Sequence, residues 1–151
     1  NYPKPIITQY ANPEKELEGI LTRIQMEDLD DVAILVPSDK EVMMVNDYLA
    51  NHGIKTQVMY RTGNTVPFRT VNTLDFSNND LPCILTYYAA KGSEFDNVFV
   101  PFANTSNDCS RNSFYVACTR SSRSLYISYS GTKTKYLSDV NSDFITELKA
   151  A

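Results

Sequence analysis

The chain has 151 residues, enough for one domain that buries its core without disulfide or metal staples. With 42% hydrophobic and 21% charged residues it sits near the averages of soluble globular proteins, which excludes a disordered tail, a collagen-like repeat and a coiled coil. Fourteen basic against eighteen acidic residues leave a net charge of −4, whereas a domain that holds nucleic acid alone is usually basic, so any nucleic-acid contact is expected to be local or shared.

Ile6 to Tyr10 reads as a short extended segment behind Pro3 and Pro5. Asn12-Pro13-Glu14 is a helix start, with an Asn cap and proline in the first turn. Leu17, Ile20, Leu21 and Ile24 then recur at helical spacing and form one apolar face. Val32 to Val36 is continuously apolar, the pattern of a strand covered on both faces. Ser38 opens a capping box with Glu41, Val42, Val45 and Leu49 mark the buried face of that helix, and Gly53 ends it.

Thr56 to Tyr60 predicts a strand, Arg61 to Thr70 a loop carrying Gly63 and Pro67, and Val71 to Phe76 a short strand. Ser77 to Asp80 is a turn. Cys83 to Tyr87, Val98 to Pro101 and Leu125 to Tyr129 are further strands, Ser110 to Thr119 is a helix, and a short helix from about Ser142 closes the chain. Strands separated by helices imply βαβ units, a mostly parallel α/β sheet and ligands at the carboxyl ends of its strands.

Most generic chemical signatures fail. The phosphate-cradling GxxxxGK motif is absent, as are GxGxxG and GxSxG. The single histidine, His52, sits at a helix end, where it complements the helix dipole. Asp30 and Asp31 precede a strand, the wrong end for an acidic phosphoacceptor pocket. Three cysteines, an odd number, without CxxC argue against a disulfide framework and a metal site. Cys83 and Cys118 read as core residues and Cys109 as part of a polar loop. No apolar run approaches the ~20 residues that cross a bilayer and no leader pattern is read, so the expectation is a soluble, cytoplasmic protein without a membrane partner.

Two segments stand out. Thr86-Tyr87-Tyr88-Ala89-Ala90-Lys91-Gly92-Ser93-Glu94-Phe95-Asp96-Asn97-Val98 lies between two strands and reads as a loop at the sheet's edge, with a glycine that lets backbone approach a ligand. Tyr115-Val116-Ala117-Cys118-Thr119-Arg120 puts an arginine at a helix end just before a strand. Together they resemble the fifth and sixth motifs of UvrD/Rep-like superfamily 1 DNA helicases, T-x-H-S-A-K-G-L-E-F-D-x-V and L-Y-V-A-x-T-R-A. Thr86, Ala90, Lys91, Gly92, Glu94, Phe95, Asp96 and Val98 match the former, and Tyr115, Val116, Ala117, Thr119 and Arg120 the latter. Ala33 to Val36 and Leu49, Gly53 and Ile54 resemble the strand and helix that precede them in the family, so the likeness spans roughly Val32 to Ser130.

The departures are specific. Tyr88 replaces the usual histidine, Ala89 the serine and Ser93 the leucine, and Pro37 stands where many relatives carry arginine. Asn1-Tyr2 does not continue into the family's N-Y-R motif, because Pro3 replaces the arginine. The Walker A and Walker B segments and the large inserted subdomain are missing, with only Tyr60 to Leu85 where the insertion would lie. The resemblance therefore implies one RecA-like three-layer domain over residues 1–151, of the short branch. It would be the C-terminal motor domain of a larger protein whose N-terminal RecA-like domain holds most of ATP and its Mg.

That resemblance implies the roles. Gly92 and Glu94 would border ATP, with Glu94 accepting from a ribose hydroxyl. Arg120 would be the catalytic arginine finger on the γ-phosphate. Thr86 and Tyr88 would face single-stranded or partly duplex DNA. Phe95 and Val98 are expected in the core, and Arg123 is a lesser candidate for phosphate. The isolated chain is expected to hydrolyse no ATP. Taken singly, Gly92 also reads as a turn glycine, Glu94 as a solvated acid, and Arg120 as a cation at a helix C-terminus. Two alternatives stay open: a degenerate, non-catalytic helicase-like module recruiting a nuclease or repair partner, and a flavodoxin-like regulatory domain.

Overall fold

The computed structural model describes residues 3–63, 69–104, 109–138 and 140–150. Strand β1 (Ile6–Tyr10) leads to helix α1 (Pro13–Met26), whose Asn12 cap accepts from the Lys15 N–H at 2.9 Å. Strand β2 (Val32–Val36) is buried at all five positions. Ser38 begins α2 (Asp39–Asn51) with its N–H donating to Glu41 Oε2 at 3.1 Å. His52 ends that helix with Nδ1 2.8 Å from the Tyr48 carbonyl, as a capping role requires. Gly53, at φ +79°, turns the chain out. Strands β3 (Gln57–Thr62), β4 (Arg69–Asn72), β5 (Cys83–Thr86) and β6 (Phe95–Val100) follow, then α3 (Arg111–Cys118), β7 (Ser121–Ser130), α4 (Lys135–Ser138) and β8 (Thr146–Lys149).

The described strands form one eight-stranded sheet in the order β4-β3-β5-β2-β6-β7-β1-β8. Every neighbouring pair is parallel except β3 and β4. Side chains alternate across a strand, so β2 sends Ala33 and Leu35 to one face and Val32, Ile34 and Val36 to the other. Leu17 and Ile20 of α1 with Val42, Val45 and Leu49 of α2 cover the second face. Phe114 and Ala117 of α3 and Leu137 of α4 cover the first. Fully burying one such aliphatic or aromatic side chain contributes about 1.5–3 kcal/mol, so two helical layers on a central apolar strand are enough to fix this arrangement. The result is the RecA-like three-layer α/β fold expected. No helix of the described residues is long and apolar enough to cross a membrane.

Four expectations need correction. The closing helix from Ser142 is a single 3-10 turn, Ser142–Phe144, followed by β8. The open edge of β1 decides this: Thr146 donates to the Pro5 carbonyl and Ala150 to that of Gln9, which continues the ladder. The predicted loop from Arg61 and the strand from Val71 form a hairpin, with Arg61 paired to Thr70 and Thr62 to Arg69, while Pro67 lies outside the described residues. The ladder stops at Thr62, just before Gly63. Two strands are longer than the sequence predicts, since β6 starts at Phe95 and β7 spans Ser121–Ser130. Cys83 is buried as expected, and Cys109 and Cys118 are half-buried.

Candidate nucleotide and nucleic-acid site

The segment from Thr86 to Glu94 does not sit at the sheet's edge. It crosses the face between β5 and β6, which flank β2 at the centre of the sheet. Thr86 pairs with Val36 at the carboxyl end of β2, and Asn97 pairs with Val32 at its amino end. Those ends are four residues apart, about 13 Å of extended chain. The candidates therefore fall into two groups on opposite ends of the sheet, not into one cluster at the carboxyl ends.

At the carboxyl end, the Thr86 hydroxyl oxygen accepts from the Ala89 N–H at 3.1 Å and the Thr86 carbonyl from the Ala90 N–H at 3.1 Å. Both bonds wind the chain into a turn. Tyr87 anchors that turn from below, buried edge-on against Phe114 with ring centroids 6.4 Å apart, and Ala90 is fully buried beside it. With its neighbours on either side held in the core, Tyr88 is thrown outward and is 86% exposed. It lines a cleft of about 670 Å³ together with Thr86, Pro37, Ser38 and the hairpin residues Tyr60 and Arg61.

At the amino end, Gly92 has φ +84°, a conformation costly for any residue with a Cβ. A Cβ built there meets nothing within 4 Å, so within this domain the backbone angle, not close approach, demands glycine. Arg120 follows α3 and is folded back onto it. Its Nε donates to the Val116 carbonyl at 3.0 Å, Nη1 to the Ser93 carbonyl at 3.3 Å, and Nη2 to Thr119 Oγ1 at 3.2 Å. The Arg120 carbonyl in turn accepts from the Phe95 N–H at 2.9 Å. One arginine thus caps the helix and fastens it to the crossing segment, next to exposed Glu94. Phe95 and Val98 are core residues as expected.

Between β6 and β7 the register slips by one residue past Phe95, so Ser122 and Arg123 both stand opposite Asp96, a β-bulge. Ser122 pins it, donating to Asp96 Oδ1 at 2.9 Å, while the Asp96 N–H donates to Asp31 Oδ2 at 3.0 Å. Glu94 and Arg123 line a shallow cleft of about 430 Å³ beside Cys118, whose thiol burial pushes up to about 12. No three metal-ligating side chains converge among the described residues.

Sequence reasoning missed Glu16. Although it lies on a helix among charged residues, it is fully buried, accepting from the Phe102 N–H and the Ser128 hydroxyl at 2.8 Å each and from the Ser130 hydroxyl at 3.1 Å. Burial raises its carboxyl above the usual range, and the three donors offset part of that rise. Its position beside Leu17, on the buried face, was the available signal.

The model of the UvrD-like helicase C-terminal domain matches residues 82–128, which include every candidate residue named above for DNA and nucleotide. No curated protein matches the chain. Among solved structures, the C-terminal domain of a possible DNA helicase from Lactobacillus plantarum WCFS1 superposes with a TM-score of 0.78 at 22% identity, over 97% of this chain and 86% of that one. The E. coli DEAD-box protein SrmB, in complex with regulator of ribonuclease activity A, gives 0.64 at 14% identity, over 100% and 91%. The PRRSV nsp10 helicase gives 0.59 at 11% identity, over 96% of this chain but 30% of that one. At these identities the structural likeness is one of fold. Residues 82–128 are thus similar in sequence to the UvrD-like helicase C-terminal domain, and the whole chain shares the fold of these helicase domains.

Proposed function

We propose that this domain is the second motor unit of an ATP-dependent DNA helicase or translocase. An N-terminal RecA-like domain of the same protein binds most of ATP·Mg, and this domain closes over it from the amino ends of β6 and β7. Glu94 accepts from a ribose hydroxyl, Gly92 borders the nucleotide, and Arg120 reaches the γ-phosphate. As water bonds to the γ-phosphorus and the bond to the ADP oxygen breaks, charge grows on the phosphoryl oxygens. A fixed guanidinium there supplies ~10³–10⁵ in rate. Each terminal nitrogen of Arg120 carries one N–H beyond the bonds described, so the fork retains donors for phosphate. At the other end, the Thr86 hydroxyl keeps its proton for a DNA phosphate and the Tyr88 ring stacks on a base of the single strand.

The observation that carries this reading is the crossing segment itself. It is one short stretch of chain with an exposed aromatic at the carboxyl end and the arginine-tethered backbone of Ser93 at the amino end. Displacement of one end by nucleotide is thereby transmitted to the other. The test is ATP turnover by the whole protein with and without single-stranded DNA, alongside this chain alone. DNA should raise the rate of the whole protein, and the isolated chain should turn over nothing. A whole protein with no turnover in either condition overturns the motor reading in favour of a non-catalytic module.

A further inference from the structure

Arg123, only a lesser phosphate candidate in the sequence, takes no part in the proposed function above. It is exposed, and its guanidinium makes no ion pair or hydrogen bond among the described residues. Glu94 lines the same cleft, and the two do not pair. A solvated arginine on a strand needs no device to place it. This one has such a device, since the extra residue of the bulge sets Ser122 and Arg123 opposite the single Asp96, and the Ser122–Asp96 bond holds that geometry. Bulges re-aim side chains at the sites where they occur. Here the bulge places Arg123 on the lining of the cleft that Glu94 also lines, about 430 Å³ and within the range of small-molecule sites.

We propose that Arg123 binds the phosphate nearest the ribose of the nucleotide that Glu94 holds, as a ground-state contact separate from Arg120. This rests on the motor reading above. The guanidinium fork matches a phosphate in two-pronged fashion, and the neighbouring Cys118 thiol stays uncharged, so among the described residues Glu94 is the one anion lining the cleft. Arg120 and Arg123 then divide the work. The first is tethered to the helix end and acts where charge develops. The second is untethered and serves affinity for ATP and ADP alike.

The division is tested on the whole protein by steady-state ATP turnover. Arg123→Ala should raise KM for ATP and the inhibition constant of ADP by about tenfold each, with kcat within about twofold of wild type. Arg123→Lys should recover only a small part of the loss, because a point charge lacks the fork. The ratio of KM for ATP to KM for 2′-deoxy-ATP should not change, since the contact is to phosphate. Wild-type turnover with unaltered KM in Arg123→Ala overturns this inference alone, as does a loss confined to kcat or a shifted ATP/2′-deoxy-ATP ratio. A wild-type protein that turns over no ATP removes the motor reading, and this inference falls with it.

Discussion

The two ends of the crossing segment are built on opposite plans. Tyr88 stands clear of the domain, 86% exposed, while the residues that hold it in place, Tyr87 and Ala90, are in the core. Arg120 is folded down, with all three guanidinium nitrogens bonded to its own domain. A side chain displayed to solvent costs the fold nothing and can be judged by function alone. A side chain that ties α3 to the segment before β6 carries structure as well, and its loss reads out in two currents at once. The division of labour between a displayed and a tethered residue gives mutational tests a clear order.

The largest effect belongs to Arg120. In the whole protein Arg120→Ala should cut ATP turnover by ~10³-fold or more if it serves as the finger. It should also lower stability by about 1–2 kcal/mol, because three hydrogen bonds of roughly 0.5–1.5 kcal/mol each are lost from a half-exposed site and water replaces part of them. Both are read on one preparation, by turnover and by chemical denaturation. Near-normal turnover with the stability loss intact would reduce Arg120 to a helix cap.

Tyr88→Ala should weaken single-strand binding by about 1–3 kcal/mol, the worth of one aromatic–base stack, with stability within about 0.5 kcal/mol and DNA-free ATP turnover unchanged. Titration of a fluorescent oligonucleotide decides it, and unchanged affinity would make the displayed ring an ordinary surface residue. Gly92→Ala sharpens the same contrast at about 1 kcal/mol. Positive φ should cost that much stability in the isolated domain, where the added methyl has room. In the whole protein a rise in KM for ATP beyond this stability cost would mark Gly92 as a neighbour of the nucleotide.

The sequence carried the central strand, both helix caps and both motifs, because each is written in contiguous residues. Val32 to Val36 is one apolar run, Asn12 and Ser38 cap their own next turns, and Thr86 to Val98 and Tyr115 to Arg120 are unbroken strings. What could not be read depends on partners distant in the chain. Strand β8 is exposed at all four positions and bears no pattern, and it is strand only because β1 offers an open edge. The Arg120 fork is folded by a carbonyl twenty-seven residues away. Division of the motif residues between two ends of the sheet follows from β5 and β6 both running parallel to β2, a long-range pairing. Glu16 is a similar case: its three donors come from Phe102, Ser128 and Ser130.

Glu16 also supplies the smallest effect and a control that touches neither end. Its carboxyl is fully buried, and desolvation raises its pKa from the usual value near 4.5. The folded protein therefore keeps that proton to higher pH than the unfolded chain does. Above about pH 4.5 the native state binds more protons than the unfolded state, so this group's contribution to stability falls as pH rises and levels off once pH passes the folded value. The slope cannot exceed one proton's worth, about 1.4 kcal/mol per pH unit. Glu16→Gln removes the titration and keeps an amide that can serve Phe102, since the two serine hydroxyls can turn to accept as well as donate. Stability curves for wild type and Glu16→Gln, taken from pH 4 to pH 7, should diverge in favour of the variant as pH rises, while DNA affinity and KM for ATP stay equal. Curves that remain parallel would mean that the three donors offset the whole desolvation cost, leaving Glu16 with an ordinary titration inside an apolar layer.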